Sequence, residues 1–149
     1  MGGLFGWLAL AVLAGGVLSV QAGINTLLSR ELGGPLQGTL ASFLTGSVVL
    51  LAAWGIKRSP WPGIDRMGQV PLVTWSGGLL GALYVGITIL LSPRLGAATF
   101  FGVVVGGQMA TALVLDHFGA LGFAVHPITA LRVVGIALVV SGVVLIRAS

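Results

Sequence analysis

Five apolar runs of about 18–26 residues, separated by four short polar breaks, fill almost the whole chain. A helix that crosses a hydrocarbon core of about 30 Å needs roughly 20 such residues with almost no charge. Of the 149 residues, 56% are hydrophobic and 7% are charged, and the mean hydropathy is +1.11. Seven basic and three acidic side chains could not cover a water-facing core of that composition. Lipid is therefore the expected solvent. Backbone amides in lipid find no water, so each spanning segment must satisfy its own, and the expected spans are helices.

The spans are expected at 3–28, 35–56, 72–91, 97–115 and 128–146. They make a single five-helix transmembrane domain over 1–149, of all-α class, with no segment left for a soluble domain. The breaks carry the turn chemistry. Arg30-Glu31-Leu32-Gly33-Gly34-Pro35 ends one helix and starts the next, with Pro35 suited to a first helical turn. The stretch from Lys57 to Pro71 holds Pro60, Pro62, Gly63 and Asp65 and reads as the longest loop. Ser92-Pro93-Arg94-Leu95-Gly96 reads as a tight turn that makes the third and fourth spans antiparallel neighbours, and Asp116 to Pro127 as a loop. The first run has no basic residue before it and is long for a signal-peptide core, so it is expected to be retained as a span.

Small residues and polar residues then organise the spans. Lipid gives helices little hydrophobic drive to associate, so close packing through small side chains takes over. Thr99, Gly102, Gly106 and Ala110 fall on one arc of about 80° of the fourth span. Gly77 and Gly81 share a face of the third span, and Gly135 and Gly142 share a face of the fifth. Each of these faces suits either a helix of the same chain or a second copy. The polar groups are Gln21 and Asn25 in span one, Ser42 and Thr45 in span two, and Trp75, Ser76, Tyr84 and Thr88 in span three. Span four adds Gln108 and Thr111, with Gln108 opposite the glycine arc. Buried polar groups in a membrane are costly and point to function. The alternative is that they bond between helices. That alternative suits Ser42, Thr45, Ser76 and Thr88 better than Gln21, Asn25 and Gln108, because an amide has both donors and an acceptor to satisfy. Trp7, Trp54 and Trp61 read as interfacial belt residues. Asp116 and Arg132 meet on one membrane face, where they either pair or stay solvated.

With the N-terminus inside, the inner face carries Lys57, Arg58, Arg66 and Arg132, and the outer face Arg30, Arg94 and Arg147. Four against three barely orients a chain under the positive-inside rule. Insertion in both orientations, and with it an antiparallel homodimer of ten helices, stands beside a single N-in orientation. An odd number of spans suits the inverted arrangement found in many transporters.

Enzymatic readings fail on inventory. Two histidines and three acids at loops or span edges supply no metal cage and no triad. There is no cysteine for a disulfide or thiolate site. No cofactor and no metal are expected. The pI near 11.3 reflects scattered loop arginines, with no cluster beyond Lys57-Arg58 to engage nucleic acid.

Several segments resemble the DUF606 (YdcZ-type) branch of the drug/metabolite transporter superfamily. They are Gln21-Ala22-Gly23-Ile24-Asn25, Ser42-Phe43-Leu44-Thr45-Gly46, the run from Trp75 to Val85, Pro93-Arg94-Leu95-Gly96-Ala97-Ala98, Gly107-Gln108 and Leu115-Asp116-His117-Phe118-Gly119. The resemblance covers nearly the whole chain with the motifs in order. It implies a five-span bacterial inner-membrane protein related to small multidrug resistance transporters, paired or fused in inverted topology or acting as an antiparallel homodimer. Those smaller transporters carry a glutamate in the middle of the first helix. Gln21 and Asn25 stand there in this chain, and that departure argues against proton-coupled cation antiport.

The expectation that follows is a transporter of a small uncharged or zwitterionic solute. The solute would be held near the midplane of the dimer by Gln21, Asn25, Tyr84 and Gln108, with Trp75 and Ser42 as further contacts. A passive facilitator and a non-transporting accessory subunit are the alternatives.

Overall fold

The computed structural model describes residues 2–148. In chain order it contains α1 (Gly2–Glu31), α2 (Pro35–Lys57), α3 (Ile64–Gly68), a 3-10 turn (Leu72–Trp75), α4 (Ser76–Leu95), α5 (Ala97–Phe118), a 3-10 turn (Ala120–Gly122) and α6 (Ala130–Ala148). No strand occurs among the described residues. Five helical segments are long and apolar enough to cross a membrane, with Leu72–Leu95 counted as one. No more than 11% of the most apolar stretch of any of them is buried inside the chain. Their outer surfaces are therefore left for lipid or for another protein. The chain divides into two compact units, one running to Pro93 and one from Arg94 onward.

In the first unit, α1 and α2 form an antiparallel hairpin. Its turn uses Gly33 at φ +90° and Gly34 at φ +159°, values open to glycine at little cost. The Gly34 amide donates to the Ser29 carbonyl at 2.8 Å, and Pro35 starts α2 where its missing N–H costs nothing. One turn later the two backbones nearly touch. A Cβ at Gly38 would lie 2.6 Å from Ser29 Cβ and 2.7 Å from Ser29 Cα. Gly38 is thus the contact that lets the hairpin close. α4 lies against α2 at two places: Phe43 fills the space beside Gly81, and the Thr39 hydroxyl lies beside Gly86. Ala22 on α1 and Ile89 on α4 are the buried apolar residues of this unit.

Two local features differ from the sequence reading. The Lys57–Pro71 stretch contains a short helix, α3, held by Arg66 and Met67 amides donating to the Gly63 carbonyl. α4 also does not stop at Ser92; it runs through Pro93 to Leu95, and Gly96 alone separates it from α5. Proline lacks the N–H that would reach the carbonyl four residues back, so a helix end is the default there. Membrane helices tolerate that loss.

In the second unit, α5 and α6 pack through small residues. A Cβ on Gly102 would come within 2.6 Å of Val143 Cγ2, and one on Gly106 within 3.3 Å of Val140 Cγ2. Val143, in this seam, and Phe100, on another side of α5, are buried. The connecting loop is tied at one end of the pair. Arg132 donates to the Asp116 carboxylate at 2.5 Å and to the His126 carbonyl at 2.9 Å. The His126 amide donates to the Asp116 carbonyl at 2.8 Å, and Thr129 Oγ1 accepts from the Arg132 amide at the start of α6. Asp116 and Arg132 therefore pair instead of standing separately in solvent. Their side chains remain 22% and 37% exposed, so the expected coupling in an Asp116→Asn, Arg132→Gln double-mutant cycle of thermal stability is about 0.5–1 kcal/mol. Arg132→Gln alone should cost more than Asp116→Asn, because it also frees the His126 carbonyl. Equal single effects would remove the latch role.

Candidate functional site

The hydroxyls in the spans mostly satisfy themselves. Thr26 donates to the Ala22 carbonyl, Thr39 to Pro35, Thr45 to Ala41, Ser76 to Val73 and Thr88 to Tyr84, each at 2.7–2.9 Å. These bonds stay on their own helices, so Thr45, Ser76 and Thr88 do not bridge helices as the sequence reading allowed. A hydroxyl on a helix can reach the carbonyl three or four residues back; a Gln or Asn amide is less easily satisfied that way.

The remaining polar groups divide differently. Gln21, Asn25, Ser42, Tyr84 and Gln108 make no side-chain hydrogen bond among the described residues. Asn25 is 6% exposed, and Ser42 and Tyr84 are half-buried. No described side-chain nitrogen or oxygen is both sealed and unpartnered. The polar atoms of Asn25, Ser42 and Tyr84 therefore open onto space that a water-sized molecule reaches.

Helix register places these three at one depth. Ser29 faces Gly38 across the hairpin, so antiparallel counting sets Asn25 level with Ser42, each four residues further from the turn. Phe43 faces Gly81 and Thr39 faces Gly86, so Ser42 is level with about Ala82, and Tyr84 is about 3 Å from that level. Tyr84 is at the middle of the Leu72–Leu95 span, and Ser42 is about 6 Å from the middle of α2. Three helices of one unit thus carry an amide, a hydroxyl and a phenol at a common level, which is the middle of the Leu72–Leu95 span, about 6 Å from the middle of α2 and about 12 Å from the middle of α1.

Gln21 lies about 40° round α1 from Asn25 and one turn away, and it is exposed. It borders a shallow apolar groove along α1, beside Gly16, Val17, Val20 and Ile24. Trp75 is exposed at the start of α4, away from the level of Asn25. Gln108 is exposed at the middle of α5 in the second unit, on the side of the helix away from Gly102 and Gly106. Of the six glycines singled out in the sequence for packing, Gly81, Gly102 and Gly106 make contacts within the chain. Gly77, Gly135 and Gly142 have open space where a side chain would stand, and Gly135 lines a groove between α5 and α6 beside Arg132.

Apart from the Tyr84 phenol, no titratable side chain of the first unit among the described residues lies at this level. Glu31 is the last residue of α1, Asp65 is in α3, and Asp116 is in the last turn of α5. No group of three or more His, Cys, Asp or Glu among the described residues could hold a metal ion. Such an arrangement can accept and donate hydrogen bonds to a neutral or zwitterionic molecule.

A family model described as "Putative inner membrane exporter, YdcZ" matches residues 6–145. No curated protein and no solved structure matches the chain.

Proposed function

We propose, from the premise that this chain belongs to the YdcZ-type (DUF606) family, that it exports a small neutral or zwitterionic solute by alternating access. It is a multi-pass inner-membrane protein of a transporter family. Asn25, Ser42 and Tyr84 form the polar seat of the solute in this reading. Gln21 extends it along the bordering face of α1, and Trp75 and Gln108 are proposed as further solute contacts in their own units. The working unit is an antiparallel homodimer in which each chain acts as one five-span domain. Gly77, Gly135 and Gly142 are offered to the partner.

One observation carries the reading: amide, hydroxyl and phenol groups at one depth within the spans, none hydrogen-bonded among the described residues. An unsatisfied amide in hydrocarbon costs several kcal/mol. Lipid tails cannot repay that, so water, a solute or a second chain must meet these groups. Weak charge bias, four basic groups against three, supports insertion in both orientations.

The absence of a carboxylate at that depth favours a second reading, a facilitator that moves solute without coupling. Proteoliposomes loaded with a mixture of neutral and zwitterionic solutes separate the two when followed by mass spectrometry. Movement against a gradient, driven by an imposed ion gradient, supports coupled export. Flux that stops at equilibration supports the facilitator.

The orientation has its own test, which a cysteine-free chain makes simple. A single Gln69→Cys substitution places a thiol in the loop between α2 and α4. The expected result is comparable labelling by an impermeant maleimide from each side of the membrane. Labelling from one side alone would exclude the antiparallel homodimer.

A further inference from the structure

The segment joining α2 to α4 has a second chemistry, independent of whether Asn25 seats a solute. Lys57 ends α2, Arg58 follows at φ +49°, and Arg66 lies in α3. All three are exposed, and none makes an ion pair among the described residues. Asp65 is the lone acid of the segment, so it carries three positive charges against one negative. Elsewhere the cations are scattered or neutralised: Arg132 is paired with Asp116, and Arg30 adjoins Glu31.

The segment is shaped as well as charged. Trp61 meets Trp54 of the last turn of α2 edge to face, with ring centroids 5.4 Å apart. The Thr74 hydroxyl and amide both donate to the Pro71 carbonyl, which fixes the turn into α4. Between these anchors a groove opens, lined by Trp61, Arg66, Met67, Val70, Thr74 and Trp75. Its walls are apolar and aromatic, and Arg66 supplies a guanidinium. Ile64 and Leu72 on the same segment are 87% and 89% exposed, which water would not favour.

Tryptophans at span ends sit at headgroup depth, where their amphipathic rings are stable. Basic side chains at that depth are drawn to anionic headgroups, and a guanidinium presents a planar fork to phosphate oxygens. We propose that this groove binds an anionic phospholipid, with the phosphate at Arg66 under the field of Lys57 and Arg58. The glycerol and first acyl carbons would lie along Met67, Val70 and the two indoles.

The test uses the full chain purified in a neutral detergent. It is titrated with dihexanoyl phosphatidylglycerol, dihexanoyl phosphatidylcholine or inorganic phosphate, and tryptophan emission is followed. Three of the four tryptophans lie in or beside the groove. The expected result is a saturable change with phosphatidylglycerol that weakens as salt rises and is absent with phosphatidylcholine. Arg66→Gln should weaken binding about fivefold, and Lys57→Gln/Arg58→Gln/Arg66→Gln about 100-fold, since each basic group near an anionic lipid contributes a similar increment. Arg147→Gln, at the end of α6, removes the same charge elsewhere and should bind as the parent does. Should the triple variant not fold, the comparison of Arg66→Gln with Arg147→Gln decides. Equal binding of the two lipids, or equal loss in Arg66→Gln and Arg147→Gln, would overturn the proposal. Saturation by inorganic phosphate at the same concentrations as phosphatidylglycerol would overturn the lipid assignment.

Discussion

Gly38→Val is expected to leave little folded protein, and Gly38→Ala to lower the melting temperature in detergent by roughly 5–10 °C. The new Cβ would lie 2.6 Å from Ser29 Cβ and 2.7 Å from Ser29 Cα. Carbon atoms pack at about 3.5–4.0 Å, so α1 and α2 would have to part by about 1 Å. Neither obstructing atom can swing away, because one is backbone and the other is fixed to it. Overpacking of this kind costs about 1–3 kcal/mol, and about 1 kcal/mol shifts the melting point of a chain of this size by roughly 2–4 °C. Valine brings two further methyl groups into the same space. Gly46→Ala supplies the control on the same helix. Nothing lies within 4 Å of its Cβ, and alanine favours a helix, so its melting temperature should hold or rise slightly. A Gly38→Ala protein that melts with Gly46→Ala would show that the hairpin does not rest on this contact.

On the proposed reading, Asn25→Leu is expected to reduce solute efflux by about tenfold or more while the chain stays folded and the proposed dimer forms. Removing the partner of a buried hydrogen-bonding group costs about 1–3 kcal/mol, and each 1.4 kcal/mol is a factor of ten. Asn25 is 6% exposed and its amide makes no hydrogen bond among the described residues, so the substitution removes none of them. Leucine is of similar size and suits lipid, so folding should survive. Gln108→Leu should lose efflux in the same way, with assembly intact. Efflux and dimerisation are read from one preparation, by mass spectrometry of released solute and by cross-linking. Loss of the dimer in either variant would make that amide a structural bond between chains. Unchanged efflux with the dimer intact would remove it from the solute's path.

Much of the fold was legible in the sequence because hydropathy and length decide what a bilayer accepts. The five spans match the apolar runs, with ends that shift by a few residues; α1 reaches Glu31 and α5 reaches Phe118. The Gly33-Gly34-Pro35 break also stands where glycine and proline chemistry puts it. Less legible was α3, because a five-residue helix has too few turns to show a period. Pro93 misled because its local preference was overridden within a membrane helix. The polar residues of the candidate site could be named from the sequence. Their division into self-satisfied hydroxyls and unpartnered amides could not, since that depends on rotamers and neighbours.

The sequence by itself determined the class: a chain with this little charge and this much apolar length has only spanning helices open to it in lipid. It also determined where the spans break and which residue types lie within them. Tertiary structure alone decided which small residues are contacts. Gly38, absent from every small-residue pattern read in the sequence, proves to be the tightest glycine contact in the first unit, while Gly77 and Gly142 face open space. It also decided that Asn25, Ser42 and Tyr84 share one depth. Composition is a property of single segments, and it governs their transfer into lipid. Register is a relation between segments, set by where two backbones can approach, and hydropathy contains no term for it.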